Sequence, residues 1–557
     1  MKQRYFQIMV IAPLTSTIRQ LKYTLPLCAG VLSSGNTLAQ LPPDAGQILQ
    51  QSEPPVASPQ PPSIQLNLQG QPLSEAVPGG QRISLNAVHL EGNSRFTTNE
   101  LLQLVQDQIS SPQDLAGIQS IANRISQYYR DNGYPFAQAL IPAQSLADGV
   151  LELQVVEGRY GQVAATSDNP TLAAAASPWL SSLRTGTPIE SAYLERRILL
   201  LGDLPGISIT PIMRPGINQG EGDLEVQVRS RQRVTGSIGA DNHGSRFSGE
   251  YRGRASLSAH HLATLGDELN LTSLYSNEST WLGDIRYSIP LGTHGMRGEL
   301  NYTYTDYALG KGFEGYTGTA DVYAAGIYYS LVRRQQSNVS LSARYLYKDL
   351  DDDIELFNYR RATSSHSVPL GIRFDHRDAL GVGGITYGAV TLTPGTLSQT
   401  QTELEDADYG FTHITLDIAR IQALGSGFEL YGRTHAQWAD LDNLDGSESF
   451  FLGGPYGVRA YPVGEGSDSR GWLAQLEARY HVGNGMVPYV FIDGGRTPSG
   501  GNDDNARSLS GAGVGLRYQQ ERVSLNVSSA WRLDGDDAQA DDQQRDPTIW
   551  ASANYHF

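Results

Sequence analysis

One arginine stands apart by its setting. The stretch FFLGGPYGVRAYPVGEGSDSRGW, residues 450–472, is rich in glycine and carries Arg459 directly after Val458. A guanidinium is planar, forked and always charged. At a loop tip it decorates the surface, clamps a ligand, or pegs the loop to a carboxylate elsewhere in the chain. Catalytic sets do not present themselves. The sequence has no G-x-S-x-G elbow, no H-E-x-x-H and no phosphate-binding loop. GVGGITYG and GAGVGLRY are glycine-rich but sit in strand patterns with no helix behind them, so they read as small barrel residues. His260 and His261 adjoin, and neighbours on a strand point to opposite faces, which makes a poor metal pair. The acidic runs DLDDD (Asp349 to Asp353) and GDDAQADD (Gly535 to Asp542) are expected in solvated loops between strands, without the ligand order of a calcium loop. No catalysis, metal or cofactor is expected.

The elements that must position Arg459 follow from composition and period. The chain has 557 residues, 60 glycines and 29 tyrosines, a net charge of −17 and only 39% hydrophobic residues. No basic tract suits nucleic acid, and no apolar run is long enough for a spanning helix. Residues 1–39 read as an extended signal peptide, with a basic start, the apolar YTLPLCAGVL and small residues before a cleavage site at NTLAQ. Cys28 has Leu27 where a lipoprotein signal needs a small residue, so processing leaves a mature chain without cysteine. Residues 40–80 are rich in Pro, Gln and Ser and read as a linker. Within it PDAGQILQQ is open between a short helix and disorder.

From Arg82 the texture becomes β-α-α-β-β. The strand ISLNAVHLEG is followed by the helix TTNELLQLVQDQ and a second helix with Ile118, Ile121, Ile125 and Tyr128 at helical intervals. The strands FAQALIPAQ and VLELQVVEG close the unit, and the same order repeats from GQVAATSD to GDLEVQV. Beyond Arg231 no helix is expected. Roughly sixteen alternating segments of about 10 residues run to the C-terminus, the pattern of an outer-membrane barrel. In ELNYTYT, Leu300, Tyr302 and Tyr304 share one face; in VSLNVSSAW, Val523, Leu525 and Val527 do. A lipid-facing sheet must close, because an open edge cannot exist in hydrocarbon.

GGPYGVRAYPVGEG, after two repeats and eleven candidate strands, resembles the loop 6 tip of the two-partner secretion transporters, the TpsB family of the POTRA-barrel superfamily. The resemblance covers nearly the whole mature chain. It implies a transmembrane β-barrel of about sixteen antiparallel strands (232–557, with loop 6 at about 439–470) behind two periplasmic α+β POTRA domains (81–158 and 159–231) and a plug helix with its linker (40–80). The family tip reads Val-Arg-Gly-aromatic. Here Gly453, Gly454, Val458, Arg459 and Tyr461 fit, but Ala460 stands where glycine is usual, which puts a positive φ there in question. The resemblance implies that the loop folds into the lumen and that its arginine meets an acidic wall residue. YVFIDGG matches the family's aromatic-x-Asp-x-Gly strand in Phe491, Asp493 and Gly495. Alternation points Val490 and Ile492 at lipid and Asp493 inward; in GWLAQLEARY it turns Glu477 inward as a second acidic neighbour. Tyr555 and the terminal Phe557 resemble the signal read by the barrel assembly machinery. The function implied is export of one large unfolded partner exoprotein to the cell surface, with the assembly machinery and periplasmic chaperones as partners in biogenesis and outer-membrane lipids around the barrel. The alternative is an assembly factor of the same superfamily; a passive pore or receptor is a further one.

Overall fold

The computed structural model describes residues 43–51, 56–59, 64, 72–109, 111–402, 406–499 and 502–557. The signal peptide reading, Cys28 and parts of the linker lie outside the described residues.

A short helix α1 (Ala45–Gln51) comes first and buries Ala45, Ile48 and Leu49. Asp44 closes its open end by accepting from the Gln47 amide at 2.8 Å. The helical alternative for PDAGQILQQ therefore holds.

The first α/β unit is β1 (Ala87–Glu91), α2 (Thr98–Gln103), α3 (Gln106–Ile109), α4 (Leu115–Asp131), β2 (Gln138–Leu140) and β3 (Val150–Val156). β3 is central, parallel to β1 and antiparallel to β2. Three local expectations change. TTNELLQLVQDQ breaks into α2 and α3, with the backbone turning at Leu104 so that Val105 enters the core. FAQALIPAQ pairs over only three residues, because Pro142 has no amide hydrogen to extend the ladder. On α4 the core stripe ends on Tyr129, one full turn beyond Ile125, whereas the Tyr128 hydroxyl donates to Glu100 at 2.7 Å.

The second unit is β4 (Arg159–Thr166), α5 (Pro170–Leu180), α6 (Ser191–Gly202), β5 (Ile207–Pro215) and β6 (Glu221–Ser230). Its sheet has the same plan, with β6 central, β4 parallel and β5 antiparallel. α6 docks on the barrel's turns. Asp203, just past its end, accepts from Arg333 Nε and Nη2, both at 2.6 Å, and Arg196 donates to the Ser330 carbonyl at 2.6 Å.

Residues 234–556 form a closed barrel. Among the described residues it has seventeen segments. Tyr359–Ser367 and Leu370–Asp378 lie between the same two neighbours and are halves of one strand, so the barrel has sixteen staves. The break falls at Val368-Pro369, where proline cannot donate. Five strands run to 18 or 19 residues, and four of them, including Ser337–Ile354, lie in one stretch of the wall, against roughly 9–11 needed to cross a membrane. One wall therefore rises well above the bilayer. DLDDD lies inside Ser337–Ile354, not in a loop. Leu300, Val490, Ile492, Val527 and Ile549 are exposed on the outside, while Phe491, Asp493 and Glu477 are buried within.

Candidate functional site: a loop pinned inside the barrel

The long connection between strands Phe428–Ala439 and Gly471–Tyr480 joins the eleventh and twelfth staves. It turns back into the lumen, where Phe450, Leu452, Val458, Ala460 and Tyr461 pack against Leu473, Tyr489, Phe491, Leu509 and Ala530 of the wall. Its own backbone shapes the tip. The Val458 amide donates to the Leu452 carbonyl at 2.7 Å, and the Gly454 amide to that of Tyr461 at 3.0 Å. Gly454 has a φ of +106°, which side chains resist. At Gly453 a β-carbon would overlap the Pro462 carbonyl oxygen.

Arg459 meets both acidic residues. Its Nε donates to Asp493 Oδ2 at 2.8 Å and its Nη2 to Asp493 Oδ1 at 2.7 Å, a forked pair. Its Nη1 donates to Glu477 Oε1 at 2.7 Å. The Arg459 amide adds a bond to Asp493 at 3.2 Å, and the guanidinium carbon sits 3.5 Å from the centre of the Phe491 ring. Trp550 Nε1 donates to the Arg459 carbonyl at 2.8 Å, so the backbone is held as well as the side chain. Asp493 is 1% exposed, so its charge depends on these donors. Gly495 leaves room for the loop, since a β-carbon there would lie 2.7 Å from Leu452 Cδ2.

Ala460 does not have a positive φ, so alanine carries no backbone strain in the glycine position. Its methyl is buried against the wall at Gly511, where a β-carbon would approach it to 2.5 Å. Tyr555 and Phe557 lie elsewhere. They are exposed on the outer wall, and Phe557 closes the barrel seam through its amide to the Gly236 carbonyl at 2.9 Å.

Several residues of the site escaped the sequence reading. Glu477 also accepts from Arg479 Nε at 2.8 Å and from Arg517 Nη1 at 2.9 Å, so three guanidiniums converge on it. Arg517 shares a face with Gly511, Gly513 and Gly515, so strand alternation carried that signal. Farther along the loop, Glu465 accepts from Arg507 Nη2 at 2.7 Å and from the Gln539 and Ala540 amides at 2.8 and 2.9 Å. That ties loop 6 to the last outer loop, and nothing periodic in the sequence marks it.

α1 shares the lumen with this loop. Asp44 pairs with Arg361 at 2.8 Å, the Ala45 amide donates to Asp352 at 2.8 Å, and Gln50 Nε2 donates to the Ser447 carbonyl at 2.9 Å. Ala45 and Ile48 pack on Phe247, Tyr307, Leu309 and Leu350. The helix rests directly on the root of loop 6, and at Gly46 a β-carbon would overlap the Ser447 backbone.

Comparison with known proteins agrees with this architecture. Residues 220–518 match the family model "Haemolysin secretion/activation protein ShlB/FhaC/HecB", and residues 83–158 match "POTRA domain, ShlB-type". The heme/hemopexin transporter protein HuxB of Haemophilus influenzae (strain 86-028NP) is 26% identical over 479 residues, covering 81% of this chain and 84% of the relative. The hemolysin transporter protein ShlB of Serratia marcescens is 23% identical, covering 84% and 86%. In fold the chain is similar to CdiB from Escherichia coli, with a TM-score of 0.69 at 20% identity over 88% of this chain and 93% of that one. The chain belongs to the ShlB/FhaC/HecB family of haemolysin secretion/activation proteins, outer-membrane transporters of two-partner secretion with POTRA modules in the periplasm.

Proposed function

We propose that the two α/β units recognise the secretion domain of one large, unfolded partner exoprotein and that the barrel passes it to the cell surface. The second unit acts as a second POTRA module. β2 and β5 are sheet edges, and an extended client adds to such an edge through main-chain hydrogen bonds without demanding one sequence. Biogenesis runs through periplasmic chaperones and the barrel assembly machinery, with Tyr555 and Phe557 as the terminal signal, and lipids cover the outer wall.

The observation that carries this reading is a closed barrel whose lumen holds two elements fastened by different means. α1 is held by one ion pair, hydrogen bonds at Ala45 and Gln50 and the packing of Ala45 and Ile48, with no buried charge cluster of its own among the described residues, and is the removable part. Loop 6 is nailed by the buried Arg459–Asp493–Glu477 cluster and is the fixed part. Arg459 positions the loop against the wall, so a path opens beside it when α1 leaves. The test is export of the partner exoprotein to the surface of cells carrying the native chain or a variant. Arg459→Ala leaves Asp493 without its guanidinium, a change that costs about 3–5 kcal/mol for a buried pair. Export is expected to fall at least tenfold, with the barrel still folded by its heat-dependent gel mobility. Normal export by the variant would overturn the positioning role.

A further inference from the structure

Ile64 of the linker is buried in the core of the second α/β unit. It is 7% exposed and belongs to the same cluster as Leu200, Leu201, Leu204 and Ile209. The cluster leaves it a socket. Gly202, the last residue of α6, has no side chain, and a β-carbon there would overlap Ile64 Cδ1 while lying 3.4 Å from Ile209 Cδ1. Ile209 sits on β5, an edge strand of its sheet. The socket therefore lies between the end of a helix and a sheet edge, the place where an extended chain can dock a side chain. Upstream the linker touches the barrel, where Arg377 Nη2 donates to the Pro59 carbonyl at 3.1 Å.

We propose that this socket is a binding site for an aliphatic side chain of an extended polypeptide, and that Ile64 fills it at rest as a built-in competitor of the client. The role of the client rests on the secretion reading; the occupation by Ile64 does not. The occupant itself shows what the site accepts: a branched aliphatic side chain. An empty socket would expose Ile209 and its neighbours to every unfolded chain crossing the periplasm. A tethered occupant admits only a ligand that outcompetes it, because apparent affinity falls by the fraction of time the site is open.

The experiment uses the full chain in detergent and a labelled peptide of the linker sequence QPPSIQLNL, residues 60–68. Ile64→Asp vacates the socket, and the peptide is expected to bind this variant about tenfold or more tightly than the native chain. Adding Gly202→Leu fills the vacated socket and should abolish that gain. Both variants expel Ile64, so a purely structural tether predicts that they behave alike. Equal binding by all three chains, each checked for an unchanged melting transition, overturns the proposal. The partner's secretion domain should then displace the peptide from Ile64→Asp. If that domain binds the native chain without displacing the peptide, the client half of the proposal fails. If it does not bind the native chain at all, the secretion reading fails instead.

Discussion

At the scale of single residues the site is built from asymmetry. Glu477 has three guanidinium donors, whereas Asp493 receives both of its guanidinium bonds from Arg459. Asp493 is thus the partner most exposed to loss of Arg459, and Asp493→Asn should be milder than Arg459→Ala because Arg459 keeps Glu477. Ala460 illustrates a second rule, that a departure from a family pattern can be absorbed across a contact. Its methyl occupies space that Gly511 leaves open. Gly511→Ala should therefore push the loop tip off the wall at about 1–3 kcal/mol, the usual cost of overpacking. Restoring glycine at the tip with Ala460→Gly should recover most of it. Protease sensitivity of loop 6 in the single and double variants checks this, and a double variant no better than Gly511→Ala would refute the contact. Asp493 and Glu477 were legible because a strand's period of two fixes which side chains face the lumen. Glu465 was not, because a loop has no period, and its contacts are set by where two distant loops happen to meet.

At the scale of elements, strand alternation and the repeated β-α-α-β-β order were readable from the chain, and errors fell where local composition and tertiary context disagree. DLDDD has the composition of a loop. It is a strand because the wall outgrows the bilayer, so Asp351 and Asp353 face water outside while Asp352 turns into a polar lumen and holds Arg361 and the Ala45 amide. α1 could not be decided from its own residues. Seven residues are too few to be stable alone, and packing on the lumen wall and on loop 6 makes it helical. That dependence makes α1 easy to evict. Gly46→Leu places a side chain where the Ser447 backbone already lies, so the helix cannot seat. Evicted, it loses the Asp44–Arg361 pair and the Gln50 bond together. The expected outcome is a larger resting conductance in planar bilayers with loop 6 still protected from protease. An unchanged conductance would show that the helix does not obstruct the lumen.

At the scale of the whole molecule, the two periplasmic units behave as one arm, and Glu157 is the joint. β3 ends at Val156 and β4 begins at Arg159, so no linker separates the units. The Glu157 carboxylate accepts from the Ser94 amide at 2.6 Å, the Arg95 amide at 2.8 Å, the Tyr129 hydroxyl at 3.0 Å and Arg159 Nη2 at 2.9 Å. Arg159 in turn donates to the Gly186 carbonyl in the second unit at 2.9 Å. Burial pushes the Glu157 carboxyl up, but hydrogen bonds from Ser94, Arg95 and Tyr129 outweigh it and hold the group below the ordinary glutamate value. The folded state therefore favours the charged form. Its contribution is fully present above the unfolded value of about 4.3 and is lost as pH falls through the lowered folded value. The junction should loosen first in acid. Amide exchange reads this directly at Ser191, which donates to the Gly133 carbonyl at 2.9 Å, and at Ile189, which donates to that of Gly158 at 2.8 Å. In the native chain protection at both amides should drop as pH falls below about 4. Glu157→Gln removes the titrating group, costs about 1–3 kcal/mol at neutral pH, and should flatten that dependence. Equal acid sensitivity in the two proteins would place the joint elsewhere. A stiff arm matters for export because α6 is clamped to the barrel turns through Asp203 and Arg333. A client held at the first unit is then presented at a fixed distance from the lumen, and loosening the joint should slow export without changing client affinity.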